Sequence, residues 1–166
     1  RDSPEMSRLL HRAWADYLQP LLRRPDRLQI AALCHRGASD GGREVLLVTS
    51  LHTQRWILPK GWPIDGLDFP QAAAHEAWEE AGVIPSGVTE AAVGSYYYDK
   101  KLRGGAPVGC EVRVFAVEVA ELADDYPEAE RRRREWLAPA EAASRVEEPE
   151  LAALLAEFAT RAHANA

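Results

Sequence analysis

Apolar and polar positions change period several times along this chain, and each change predicts an element. Leu9, Leu10, Trp14 and Leu18 recur near helical spacing, which predicts an N-terminal helix over residues 4–18, closed by Pro20 and Pro25. Leu28 to His35 and Glu44 to Thr49 are apolar, strand-like runs, and Ser39-Asp40-Gly41-Gly42 between them marks a hairpin turn. Trp56-Ile57-Leu58 is a short apolar run ended by Pro59, and Lys60 to Phe69 is rich enough in Gly and Pro to predict a loop. Pro70 to Ala81 is Ala-rich and helical; Pro70 suits a first turn and Gly82 a left-handed stop. Val93 to Leu102 and Val108 to Ala120 are β-branched or aromatic segments around Gly104-Gly105, a second hairpin. Arg134 to Leu137 predicts a last short strand. Pro139 to Arg145 and Pro149 to His163 predict helices, the last apolar at Leu151, Leu154, Leu155 and Phe158. The order predicts an α/β (α+β) fold, a mixed β-sheet sandwiched between α-helices, as one domain over residues 1–166.

Composition narrows the class. With 46% apolar and 28% charged residues the chain reads as an ordinary globular protein. No run approaches the roughly 18 apolar residues of a membrane span, and no charged-then-apolar leader is read at the N-terminus. The net charge of −6 argues against general nucleic-acid binding. The charge is uneven, however: Arg131 to Arg134 form one basic run and Lys100, Lys101 and Arg103 a second, enough to hold a small polyanion. Cys34 and Cys110 lie far apart in apolar strand-like segments and read as buried free thiols, which suits a cytoplasmic location.

The chemistry concentrates between Gly61 and Val83. A glycine loop leads into the helix that carries Glu76, Glu79 and Glu80, positions i, i+3 and i+4, so three carboxylates project from one face. Like charges at that spacing repel, more so where burial lowers the dielectric. No Lys or Arg lies three or four residues away within the helix to relieve them. Such a cluster calls for an external cation, and hard oxygens suit Mg²⁺ or Mn²⁺. Ala72, Ala73, Ala74, Ala77 and Ala81 keep the other faces small, so the helix can approach a sheet closely, and the glycine loop offers carbonyls and room for a ligand near the helix start.

These residues resemble the box of the Nudix hydrolases, which reads G, five residues, E, seven residues, then R-E-U-x-E-E-x-G-U with U apolar. Gly61, Glu76, Ala77, Glu79, Glu80, Gly82 and Val83 match without a gap. Two positions depart: the first Glu falls on Leu67 and the Arg on His75, a pair that in the family commonly braces the loop against the helix. The resemblance implies that Glu76 and Glu80 bind the divalent metal with the Gly61 carbonyl. It implies that Glu79 binds a second metal or acts as general base, which makes the three glutamates the catalytic set.

Outside the box, Ala32-Leu33-Cys34-His35-Arg36, Glu44-Val45-Leu46-Leu47-Val48, Arg55-Trp56-Ile57-Leu58-Pro59 and Arg132-Arg133-Arg134-Glu135-Trp136-Leu137 look like the branch of diphosphoinositol polyphosphate and diadenosine polyphosphate phosphohydrolases. The expected reaction is metal-dependent hydrolysis of a phosphoanhydride bond in such a small-molecule polyphosphate. Arg55, Lys60, Lys100, Lys101, Arg103 and Arg132 are the cations expected to hold it. The alternatives are another nucleoside diphosphate-X substrate (ADP-ribose, a nucleoside triphosphate or an RNA 5′ end) or a ligand-binding module without turnover. Tyr96-Tyr97-Tyr98 is expected to pack the core, and His75 to make a structural hydrogen bond. Trp62, next to the box glycine, can face a ligand. The stripe on the last helix is expected to pack on the sheet, with a homodimer contact as the alternative.

Overall fold

The computed structural model describes residues 27–101 and 104–164. The expected helix over residues 4–18 and the candidate cation Arg103 lie outside the described residues.

Strands β1 (Arg27–Gly37) and β2 (Arg43–Thr49) form the first hairpin, with Gly41 at positive φ in its turn. Two-residue strands β3 (Trp56–Ile57) and β4 (Lys60–Gly61) follow, then helix α1 (Phe69–Ala81). Next come β5 (Val83–Val88), β6 (Gly94–Lys100), β7 (Val108–Leu122) and β8 (Arg134–Leu137), and then α2 (Pro139–Arg145) and α3 (Pro149–Ala164). The sheet runs β3-β2-β1-β7-β5, with β4 paired to β1, β6 to β7 and β8 to β2. The β1–β7 pairing is parallel and the others are antiparallel, so the sheet is mixed as expected.

Both faces of β1 are covered, which is why Ile30 to Cys34 is apolar without alternation. Ile30, Ala32 and Cys34 face α1 and pack with Ala72, Ala73, Ala77 and Ala81, all fully buried. Ala31 and Leu33 face α2 and α3 and pack with Tyr96, Val112, Leu151 and Leu155. The alanine stripe lets α1 sit directly on the sheet, and that sets where its glutamates emerge.

One expectation is corrected, and one element was not foreseen. Lys60 and Gly61 are not loop: they pair with Ala31 and Ile30 as a short strand, because β1 is longer than its partner β2 and leaves an edge there to fill. Strand β5 is unanticipated: its Pro85-Ser86-Gly87 stretch lacks the β-branched or aromatic run that marks a strand. It survives at the sheet edge with two register irregularities around Pro85, where a missing N–H is tolerated. Among the described residues no helix is long and apolar enough to cross a membrane. Cys34 and Cys110 are buried and free.

Candidate functional site

Helix α1 is fixed at both ends. Asp68 caps its start: the carboxylate accepts from the Gln71 N–H at 2.8 Å while the Gln71 side chain accepts from the Asp68 N–H at 2.9 Å. This capping box satisfies the N–H groups of Asp68 and Gln71 within the helix start itself. Gly82 ends the helix at φ 67, and its N–H donates to the Trp78 carbonyl at 2.9 Å. Arg134 arrives from β8 and donates to the carbonyls of Ala81 and Ala123, each at 2.8 Å. Its charge lies at the negative end of the helix dipole, where the helix itself carries no basic residue.

Between these ends, β4 crosses the middle of α1. Gly61 lies directly against the Glu76 carboxylate: a Cβ on Gly61 would occupy the position of the carboxyl group. That cradle places a backbone carbonyl strand and a carboxylate together where only glycine fits. Glu80, 6% exposed, accepts from the Lys60 N–H at 3.2 Å through Oε2 and from Arg132 Nη2 at 3.2 Å through Oε1. Burial pushes its pKa up to about 7; Arg132 and Lys60 pull it back and Glu76 pushes it further up. Glu76 is also raised, first by burial and then against the pull of His75 by Glu79 and Glu128. Glu79 is different: it is half exposed, with Oε1 3.4 Å from His75 Nε2. The acidic face therefore divides into a desolvated pair, Glu76 and Glu80, and a solvated third carboxylate.

The predicted cations separate too. Lys60 is largely buried with its ammonium 5.2 Å from the centre of the Tyr98 ring, and burial lowers its pKa against the pull of Glu80 and Glu148. Lys100 lies over Trp62, at 4.5 Å, beside the box; Arg27 reaches the same ring at 5.6 Å. Lys101 is exposed on the turn side of β6. Arg55 is engaged elsewhere, with Glu147 at 2.8 Å and Glu148 at 3.3 Å. Arg132 is buried, donating to Glu128 at 2.6 Å, the Thr49 carbonyl at 3.0 Å and Glu80. Tyr96 is buried in the core as expected and Tyr98 packs against it and donates to Gln29, whereas Tyr97, on the other face of the strand, is 53% exposed and does not pack in the core.

Two acids in this neighbourhood escaped the sequence reading. Glu128, in the loop before β8, shares the Arg132 guanidinium with Glu80; the signal was its position four residues before an arginine. Glu148, just before α3, has one oxygen on Arg55, and its buried Oε2 takes no hydrogen bond.

The donors fit a small hard cation. Among the described residues no three His, Cys, Asp or Glu side chains form a ready cage. The fit rests instead on two carboxylates held at raised pKa and the glycine cradle beside them. A cation that retains most of its waters needs no more protein oxygens than these.

The likeness to known proteins extends over most of the chain. The NUDIX domain model matches residues 27–158. "Nudix hydrolase 12, mitochondrial" of Arabidopsis thaliana is 37% identical over 105 residues, 60% of this chain and 50% of that protein. "Nudix hydrolase 16, mitochondrial" of the same plant is 33% identical over 118 residues, 68% of this chain and 64% of that protein. The chain thus spans half to two-thirds of the length of these relatives. A C. elegans Ap4A hydrolase, solved as a binary complex, superposes with a TM-score of 0.59 at 21% identity, covering 81% of this chain and 96% of that one, a likeness of fold. With the domain model matching residues 27–158 and the box spacing and the Gly61–Glu76 cradle lying within them, the chain belongs to the NUDIX family.

Proposed function

We propose that this protein is a metal-dependent hydrolase of phosphoanhydride bonds and that its substrate is a dinucleoside polyphosphate. The observation that carries the first part is the desolvated pair Glu76 and Glu80 against Gly61. Their mutual repulsion is a cost to the metal-free fold that a bound divalent cation removes. Mg²⁺ or Mn²⁺, held by Glu76, Glu80 and the Gly61 carbonyl, supplies charge neutralisation on the phosphate oxygens and activation of water. The chain's own part is to hold these oxygens rigidly on α1 and β4, and to keep Glu79 half exposed beside His75 at the edge of the site, where it can serve as general base.

The substrate class rests on how the cations are paired. A diphosphoinositol polyphosphate carries phosphate on most of its ring positions and needs many unneutralised cations. Here Arg55 and Arg132 are each already shared between two carboxylates. Lys60 and Lys100 remain near the site, against the rings of Tyr98 and Trp62. Two lysines suit a short phosphate chain, and aromatic rings beside them suit the base of a nucleoside.

The test is phosphate release with and without Mg²⁺ or Mn²⁺ from a panel of diadenosine polyphosphates, a diphosphoinositol polyphosphate, ADP-ribose and nucleoside triphosphates. Metal-dependent cleavage of the diadenosine compounds, at kcat/KM well above the rest, is expected. Preference for the inositol compound overturns the substrate class, and no cleavage by folded protein overturns the enzyme reading.

A further inference from the structure

We propose that Arg132 is a positioning residue that replaces, from outside the box, the brace lost at Leu67 and His75. The inference rests on the reading of Glu76 and Glu80 as the metal-holding carboxylates. In the family pattern an Arg on the helix pairs with a Glu in the loop. Here Leu67 is 38% exposed and His75 turns outward to Glu79, so neither ties the loop to the helix. Something else must hold the Glu80 carboxylate, because an unanchored glutamate side chain samples several rotamers.

Arg132 meets that need by geometry. Its side chain is 9% exposed and its three nitrogens reach three separate pieces of chain. Nη2 holds Glu80 on α1, Nε holds Glu128 in the loop before β8, and Nη1 holds the Thr49 carbonyl at the end of β2. A guanidinium can do this because its donors are fixed in one plane; a lysine ammonium cannot span the same three acceptors. Neighbouring bonds hold the seat itself. The Arg133 N–H donates to Thr49 Oγ1 at 2.9 Å, the Thr49 N–H to the Arg133 carbonyl at 3.0 Å, and the Glu128 N–H to the Glu79 carbonyl at 3.0 Å. With one donor on each oxygen, Glu80 keeps a lone pair on both for a cation. Arg132 therefore orients a metal-binding oxygen and does not meet the substrate, although sequence placed it among the substrate cations.

The test uses Mn²⁺ alone as the calorimetric probe and diadenosine tetraphosphate for kinetics, on the full chain. Arg132→Gln should weaken Mn²⁺ binding and lower kcat by about 10- to 100-fold, as loss of a residue behind a metal ligand does, with KM within about threefold of wild type. Adding Leu67→Glu and His75→Arg to Arg132→Gln restores an in-box pair and should recover most of the lost Mn²⁺ affinity. Arg132→Lys, which keeps the charge, should lose several-fold in Mn²⁺ affinity, and it carries the comparison if Arg132→Gln does not fold. A rise in KM of tenfold or more at unchanged Mn²⁺ affinity makes Arg132 a substrate cation and overturns the proposal, as does failure of the restored pair to recover Mn²⁺ binding. Glu80→Gln separates the two readings: if it binds Mn²⁺ like wild type, the metal site is wrong whatever Arg132 does.

Discussion

Replacing Glu80 with Gln should abolish turnover and yet stabilise the metal-free protein at high pH. The carboxyl is held at about 7 in place of its ordinary 4.5, mainly by burial. That displacement costs the ionised form about 3 kcal/mol at pH 9. Gln carries no charge, but its amide has one acceptor oxygen where the carboxylate has two, so either the Lys60 N–H or Arg132 loses its partner. The loss is about 1 kcal/mol, which leaves a net gain of about 2 kcal/mol for the variant. The direction with pH follows from proton linkage. Between pH 4.5 and 7 the native state holds a proton on Glu80 that the unfolded chain has released, so this group makes wild-type stability fall as pH rises through that window. The variant lacks the effect. Urea unfolding in EDTA at pH 9 and pH 5 measures both limits: a gain at the first, and none or a small loss at the second. A variant less stable than wild type by about 3 kcal/mol at pH 9 would refute the reasoning, because Glu80 would then be a structural ion-pair partner whose charge the fold favours.

Gly61→Ala should leave the urea midpoint nearly unchanged but weaken Mn²⁺ binding by tenfold or more by calorimetry, on the order expected when a metal ligand loses its orientation, because the new methyl displaces the half-buried Glu76 carboxylate. Gly82→Ala should instead cost about 2–4 kcal/mol in urea unfolding, since a left-handed backbone, the Tyr126 ring, the Ala123 carbonyl and the Arg134 cap all oppose the new carbon. His35, pushed down to about 4 by burial and by Arg43, gains its proton first in the unfolded chain. Its contribution to stability is therefore complete above pH 6.5 and is lost as pH falls toward 4, and His35→Gln should remove that part of the acid-side loss in paired unfolding curves at pH 7.5 and 5.

The fold was legible wherever burial imposes a pattern. Ile30 to Cys34 reads as a strand because both its faces meet a helix, and the α1 alanines read as a close-packed face because each is fully buried. Strands β4 and β5 were not legible. Lys60 and Gly61 are extended by the free edge of β1 and not by any preference of their own, and Pro85 and Gly87 are tolerated because β5 lies at the border of the sheet. The site was legible to the extent that helical spacing places groups: Glu76, Glu79 and Glu80 emerge together as expected. That Glu79 would be solvated while Glu80 is buried depends on β4 and on the loop before β8, neither of which leaves a periodic mark.

Charge was the least legible property, for a reason that bears on how such sites are read. The acidic helix has no cation within its own turns, so the sequence leaves its relief to an external ion. The fold supplies a partial answer from 52 residues away, in Arg132, and covers the helix end with Arg134. Arg131 and Arg133 are drawn to Glu128 and to the Trp56 ring. A run of four arginines that suggests a polyanion site is thus spent on the protein's own acids, carbonyls and rings. What remains for substrate is decided by which cations the fold has left unpaired near the cradle. Of the predicted set, Lys60 and Lys100 keep their ammonium groups against aromatic rings, with no carboxylate in ion-pair distance among the described residues. Substrate affinity should therefore depend more on these two lysines than on the arginine run.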